Sequence, residues 1–231
     1  MEVYTKDYKF KEKSIKKAVE SMVDAAFAQL YAHGIKDDKI AWMIYKWRID
    51  FMDEFYNMDY DAITVLTTPS GVNRFFSYRQ FIVEASGKSI IKATCEIIYV
   101  DKASMRPIRT NDFGDDFQKL FDDEDLELEE YDGKANISSF CIKKEYIDSY
   151  HHVNNAVYID EIIKILNQDI KSIRLKYVKQ CLLGEDVEIA YEINDGEANF
   201  RFFSKDETKL YASLKYEEVN YENNYGGNQC F

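Results

Sequence analysis

The residues best suited to chemistry lie in one short stretch, DSYHHVNNAVYID, which runs from Asp148 to Asp160. It holds two of the chain's three histidines, one carboxylate close before them and two asparagines. Histidine changes its charge near neutral pH, and a carboxylate can act as a base or hold an imidazole in place. His152 and Asp148 are therefore the candidate acid-base residues.

The same stretch leads directly into a segment with helical spacing of apolar residues. The start of a helix offers backbone N–H groups without intrahelical partners and about half a positive charge. Both stabilise an oxyanion, so the pattern suits the attack of water on an activated carbonyl. Asn154 and Asn155 would hydrogen-bond a substrate or cap the helix, and the residues alone leave both roles open.

Two long amphipathic helices are predicted, one in each half of the chain. In SIKKAVESMVDAAFAQLYAHGI, apolar residues recur at helical spacing, Ser14 is placed as N-cap and Gly34 as the stop. In NNAVYIDEIIKILN, the apolar face is formed by Ile159, Ile162, Ile163 and Leu166. Each helix is preceded by a short predicted strand and followed by a meander of strands.

The two halves can be laid over one another, which indicates an internal duplication. Arg48 falls on Arg174 at an offset of 126, and the RFFS at 74–77 falls on the RFFS at 201–204 at an offset of 127. One long helix packed on a curved antiparallel sheet, repeated in tandem, is the double hotdog architecture. The predicted fold is therefore α+β, a tandem double hotdog.

An acidic segment divides the chain. Residues 110–133 hold 11 acidic residues and one lysine, and we interpret them as a solvated linker with one short helix near Phe117, Leu120 and Phe121. The predicted units are an N-terminal hotdog at 1–109, this linker, a C-terminal hotdog at 134–219 and a flexible tail at 220–231.

Composition excludes several classes of function. The formal charge of −12 argues against binding duplex nucleic acid, which usually requires a basic stripe. No apolar run approaches the roughly 20 residues that cross a bilayer, and the first residues lack a signal-peptide core, so we expect no membrane insertion and a cytoplasmic location. The four cysteines lack metal-site spacing and are expected to be free thiols, without a metal.

Several motifs together resemble those of the acyl-acyl carrier protein (acyl-ACP) thioesterases of bacteria and plant plastids, which are double hotdogs. The resemblance runs from about Tyr4 to Val219. It rests on WMIYKWRIDF, TTPSGVNRFFSYRQF, YVDKASMRPIR, DSYHHVNNAVYI and YVKQCLLGEDV. Other hotdog thioesterases, including those that act on coenzyme A esters, carry segments similar to His-Val-Asn-Asn.

The resemblance implies site residues. The family's Asp falls on Asp148, its His on His152 and its Cys on Cys181. Two positions depart from the plant pattern: Tyr150 replaces an Asn, and Gln180 replaces the Glu often assigned as general base. Since Gln180 cannot accept a proton at neutral pH, it would orient water or pack, and the base would be another group.

The activity implied by the resemblance is hydrolysis of fatty acyl-ACP to free fatty acid and holo-ACP in fatty acid biosynthesis, without a cofactor. The first hotdog would bind the acyl tail in an apolar tunnel, and the second would hold the only active site, with Asn154, Asn155 and Cys181 near the substrate. Acidic ACP would dock on cations of one second-half strand and its neighbour, namely Lys171, Arg174, Lys176 and Lys179.

Two alternatives remain open at the level of sequence. One is an acyl-CoA thioesterase, and the other is a non-catalytic module that binds acyl thioesters, suggested by the departures at Tyr150 and Gln180. Cys181 is better interpreted as a small buried residue than as a nucleophile. The sequence leaves a homodimer open.

Overall fold

The computed structural model describes residues 2–10, 12–34, 39–110, 117–122, 124–147 and 153–217. The predicted tail at 220–231 lies outside the described residues.

Ten strands and three α-helices are described, and the two halves share the order of their main elements. The first half contains β1 (Tyr4–Lys9), α1 (Ile15–Ala32), β2 (Ile40–Phe51), α2 (Asp53–Asn57), β3 (Ala62–Asn73), β4 (Phe76–Ala85) and β5 (Lys88–Asp101). The second half contains β6 (Asn136–Cys141), α3 (Ala156–Leu166), β7 (Asp169–Tyr177), β8 (Asp186–Asn194), β9 (Glu197–Ser204) and β10 (Glu207–Glu217). A 3₁₀ turn at Lys144–Tyr146 precedes α3.

The strands form one antiparallel sheet in the order β1-β3-β4-β5-β2-β7-β10-β9-β8-β6. Each half contributes five strands in equivalent order, so the two halves are related by a pseudo-two-fold axis at the β2–β7 seam. Buried residues of both halves form a continuous core around α1 and α3. The predicted α+β double hotdog is confirmed.

Of the two offsets that superimpose the halves in sequence, the offset of 126 agrees with the symmetry of the structure, and the offset of 127 is wrong. Arg48 pairs directly with Arg174 across the seam, so these equivalent residues lie at the pseudo-two-fold axis. By contrast, 74–77 spans the β3–β4 turn and the start of β4, whereas 201–204 ends β9. The repeated RFFS therefore occupies different places in the two hotdogs, because four identical letters do not specify a position in a hairpin.

The first helix has the predicted ends. The Ser14 hydroxyl accepts a hydrogen bond from the Lys17 amide at 3.4 Å, and Gly34 follows α1 with a φ of 71° that favours glycine. In α3, Ile159, Ile162 and Leu166 are buried as predicted. Asn167 ends α3 in the left-handed region with a φ of 49°. These local patterns suffice to place the helices.

The acidic linker packs against the strands of the sheet, with most of its acidic side chains still exposed to solvent. Four of its acidic residues pair with strand cations: Glu124 with Arg48 at 3.0 Å, Glu127 with Lys46 at 2.5 Å, Asp132 with Arg201 at 3.6 Å, and Glu130 with Lys176. Residues 117–122 form no helix, so that prediction is wrong. Ion pairs attach the linker to the sheet, and such contacts leave no periodic pattern in the sequence.

Candidate active site

The start of α3 places the candidate active site at the meeting of both halves. Asp148, Tyr150 and His152, the predicted catalytic residues in this loop, lie outside the described residues. Their flanks are joined: Ile147 and Val153 form an antiparallel bridge, and the Asn154 amide donates to the Tyr146 carbonyl at 2.8 Å. The residues on either side of 148–152 are therefore fixed beside the helix start.

Asn154 caps the helix, which was one of its two predicted roles. Its side-chain Oδ1 accepts from the Ala156 amide at 3.0 Å, and its carbonyl accepts from the Val157 amide at 2.9 Å. Asn155 precedes the first helical residue but makes no side-chain capping bond within the described part of the chain. The prediction that unpaired first-turn amides face the substrate is wrong for Ala156 and Val157, because Asn154 already occupies them.

Asn154 also ties the loop to the first half of the protein. Its Nδ2 donates to Glu20 Oε1 in α1 at 2.8 Å, and Lys16 in the same helix pairs with Asp160 of α3 at 3.4 Å. Since the residue numbers run in opposite directions in these contacts, α1 and α3 are antiparallel. A carboxylate from the first hotdog thus positions an asparagine at the candidate site in the second. Sequence reasoning missed Glu20, whose polar position on α1 gave no signal.

Cys181 lies in an aromatic pocket next to α3. It is fully buried, and its thiol is hydrogen-bonded to the hydroxyl of Tyr158, which contacts the ring of Tyr177 edge-on at 5.9 Å. Burial raises the pKa of the Cys181 thiol, and the bond with Tyr158 offsets only part of this effect. A reactive thiolate requires the opposite shift, so the surroundings fit a packing residue and not a nucleophile.

Tyr177 connects this pocket to the helix start. Its hydroxyl donates to the Asn155 carbonyl at 3.4 Å, and burial raises its pKa above the ordinary tyrosine range. The phenol therefore stays protonated at neutral pH and remains a hydrogen-bond donor. Gln180, the predicted catalytic residue on the following loop, is exposed next to buried Cys181.

The predicted docking cations are already paired within the chain. Lys171 contacts Asp53 and Glu217, both at 2.6 Å, and Lys176 and Lys179 pair with Glu130 and Glu207. Arg174 donates to the Asp125 carbonyl at 3.4 Å. The clustering that suggested an acidic partner instead reflects intramolecular contacts, so this docking face is not supported.

Two family models match the chain. The acyl-ACP thioesterase N-terminal domain matches residues 1–117, and the acyl-ACP thioesterase C-terminal domain matches residues 129–223. The chain belongs to the acyl-ACP thioesterase family. Its activity is hydrolysis of the thioester in fatty acyl-ACP, as the sequence predicted. No curated protein matches the sequence.

Solved structures of thioesterases share the fold. A putative oleoyl thioesterase from Lactobacillus plantarum is 15% identical over 94% of this chain and 97% of its own, with a TM-score of 0.78. An acyl-ACP thioesterase from Bacteroides thetaiotaomicron is 16% identical over 93% and 98%, with a TM-score of 0.77. The 12:0-ACP thioesterase from Umbellularia californica is 14% identical over 93% and 97%, with a TM-score of 0.74.

No helix in the described part of this acyl-ACP thioesterase is long and apolar enough to cross a membrane.

Proposed function

We propose that this thioesterase hydrolyses its substrate at the start of α3, in a single active site per chain. The observation that supports the proposal concerns the described residues on either side of 148–152. Ile147 and Val153 form an antiparallel bridge just before α3, and Asn154 donates a hydrogen bond to Glu20 of α1. The equivalent start of α1 lies within FKEKSIKKA, which contains neither an aspartate nor a histidine. The first half therefore lacks the acid-base residues.

In this mechanism, His152 orients or deprotonates the attacking water, and Asp148 holds the imidazole or serves as the base. Tyr150 and Gln180 complete the predicted catalytic set. Gln180 is an amide and acts as a hydrogen-bonding group that orients water, because it cannot accept a proton at neutral pH. The oxyanion is stabilised by donors ahead of Ala156, since the amides of Ala156 and Val157 are occupied.

The family implies that acyl carrier protein is the substrate partner. The first hotdog would bind the acyl chain, and the second would hydrolyse the thioester. The exposed loop after β7 supports an approach of the carrier near the active site. Val178, Leu182 and Leu183 are 50%, 65% and 60% exposed there, next to Gln180. The site reaction needs no cofactor, and cytoplasmic location and a homodimer stay predictions.

The deciding experiment offers one fatty acyl group to the purified protein as acyl-ACP and as acyl-CoA in the same assay. Free fatty acid should form faster from acyl-ACP, with a kcat/KM at least ~10-fold higher, because carrier contacts add binding energy. Equal or faster release from acyl-CoA would contradict the carrier specificity. Binding of acyl-ACP without any release would contradict the enzyme itself and favour an acyl-binding module.

A further inference from the structure

Four exposed cations lie together at one end of the sheet in the first hotdog. Arg74 lies at the tip between β3 and β4, and Lys102, Arg106 and Arg109 lie in the segment after β5. Backbone contacts hold these two segments together, since the Thr110 amide donates to the Arg74 carbonyl at 2.6 Å. We call the four cations the basic patch.

No carboxylate among the described residues neutralises the basic patch. The stretches 73–77 and 102–110, which contain it, hold no aspartate or glutamate, and none of its four cations forms an ion pair within the described ranges. The Asp101 carboxylate, directly before Lys102, instead accepts hydrogen bonds from the Ser104 amide and hydroxyl, both at 2.7 Å. This part of a chain with a formal charge of −12 is therefore locally basic.

The equivalent tip of the second hotdog is acidic. The pseudo-two-fold axis relates the β3–β4 tip to the β8–β9 tip, which carries exposed Asp195 and Glu197 and no cation. The fold therefore does not require positive charge at such a tip. Since Lys171 and Lys176 of β7 pair with carboxylates of the chain itself, the basic patch is better suited to an acidic partner than β7 is.

The basic patch lies at the same end of the sheet as the candidate active site. The register connects Phe76, next to the β3–β4 tip, with Ile98 of β5 and Met43 of β2 in one row. β2 begins at this end and antiparallel β7 ends here, where the Tyr177 hydroxyl donates to the Asn155 carbonyl before α3. Two strand spacings, about 10 Å, separate β5 from β7. A partner that binds the patch therefore lies beside the start of α3.

Exposed apolar side chains lie at this end of the sheet as well. Met105, between Lys102 and Arg106 in the chain, is 63% exposed, and Leu182 and Leu183 in the loop after β7 are 65% and 60% exposed. Exposed apolar groups beside charged residues are typical of surfaces that bind another protein. The end of the sheet therefore combines the charge and the apolar contacts that a protein partner requires.

Resting on the proposed function, we infer that the basic patch is the docking surface for the acidic acyl carrier protein. Complementary charge guides the carrier to this end of the sheet, and the phosphopantetheine arm that bears the acyl group then extends toward α3. The contacts lie outside the reacting groups, so they contribute to the binding of acyl-ACP and not to the chemistry of the thioester.

The test measures the hydrolysis of one fatty acyl group attached to ACP and to N-acetylcysteamine, a small thiol without a carrier. In a patch variant that carries Lys102→Glu and Arg106→Glu, KM for acyl-ACP should rise roughly 10-fold, while kcat and the hydrolysis of the small thioester stay unchanged. KM of the wild type for acyl-ACP should also rise with salt, and more steeply than KM of the variant. Lys9→Glu with Lys88→Glu makes the same charge change on exposed lysines at the opposite end of the sheet and is the matched control.

A rise in KM for acyl-ACP in the patch variant, but not in the control, supports the proposal. An unchanged KM overturns it, as does an equal loss on both substrates, and the thioesterase function stands in either case. If the variant fails to fold, Arg74→Glu with Arg109→Glu decides. If the wild type cleaves no thioester, the proposed function fails, and calorimetric binding of holo-ACP then tests the surface: its loss in the patch variant supports the surface, and unchanged binding overturns it. Binding to phosphatidylglycerol vesicles without binding of holo-ACP overturns the proposal in favour of a membrane.

Discussion

Arg48 lies directly opposite Arg174 across the seam between the two hotdogs, and both guanidinium groups donate to the same carbonyl oxygen, that of Asp125. Like charges opposite one another in a sheet are destabilising. Here Asp50 and Glu124 offset the repulsion through contacts with Arg48 Nε at 2.9 and 3.0 Å. The acidic linker thus stabilises the point at which the two halves meet.

Glu124→Gln should therefore lower the free energy of unfolding by about 0.5–1 kcal/mol, the usual range for a partly exposed ion pair. The loss should shrink as salt concentration rises, because salt screens these charges. Urea denaturation measures both effects. Glu129→Gln is the matched control, since Glu129 is an exposed linker acid that forms no ion pair within the described residues.

A double-mutant cycle tests the origin of the loss. In a protein that carries Arg174→Met, the substitution of Glu124 should cost less, because the opposing charge is gone. Equal costs in the presence and in the absence of the Arg174 guanidinium would show that the linker acid does not act on the seam.

The seam also shows how far sequence reasoning reaches. The helices, the strands and the Arg48–Arg174 equivalence were predictable because periodicity and order along the chain are local properties. The RFFS match was misleading because identical residues do not specify a position within a hairpin. The linker contacts and the Glu20–Asn154 bond were unpredictable, because side chains 134 positions apart in sequence leave no pattern in either segment.

The interior of the first hotdog shows the same limit. Arg79, in the alternating strand FSYRQFIVEA, gives no sign that it faces inward toward Gln29, because the strand's register decides which face it occupies. The catalytic roles of Asp148, Tyr150 and His152 are predicted from the sequence alone, by the chemistry of their side chains and by the family resemblance. These three residues lie outside the described residues.

Replacement of the predicted acid-base residues should abolish most of the activity. Asp148→Ala and His152→Ala should each lower kcat at least ~10²-fold, the usual contribution of a general acid or base. Circular dichroism should show folded protein in both cases. His151→Ala is the matched control, since neighbouring His151 has no predicted role. Near wild-type turnover in either of the first two variants would remove that residue from the mechanism.

Gln180→Glu tests where the general base lies. A carboxylate at this exposed position can accept a proton, whereas the amide cannot, so kcat at neutral pH should rise and acquire an acidic limb. A pH-rate profile measures this change. Gln118→Glu adds the same charge on the linker and should have no effect. An unchanged profile for Gln180→Glu would mean that another group, such as Asp148, already serves as the base.

The Glu20–Asn154 contact predicts that the first hotdog supports catalysis in the second. Glu20→Ala removes the acceptor of Asn154 Nδ2, which should loosen the loop and lower kcat roughly 10-fold, less than the ~10²-fold cost of a misplacement by about 1 Å. KM should change little. Glu20→Gln keeps an oxygen acceptor and should restore most of the turnover. If both variants match wild type, the contact does not position the site.

Glu185 should make stability depend on pH near the candidate site. It pairs with Lys209, whose side chain is 4% exposed, and accepts a bond from the Leu182 amide at 2.7 Å, which holds the loop beside Cys181. Burial would raise the pKa of Glu185, but the bonds from Lys209, Leu182 and Ser204 outweigh it, so the pKa lies below its ordinary value.

A lowered folded-state pKa means that Glu185 contributes stability above the unfolded value of about 4.3, and that this contribution is lost as pH falls through the folded value. Glu185→Gln should lower the free energy of unfolding by about 1 kcal/mol at neutral pH and by progressively less in acid. Urea denaturation across that pH range measures the difference, with exposed Glu188→Gln as the control. Once Glu185 is protonated, the wild type also lacks the charge interaction that Glu185→Gln removes, so the two proteins should become equally stable in acid. A difference in unfolding free energy that grows as pH falls would contradict the assignment.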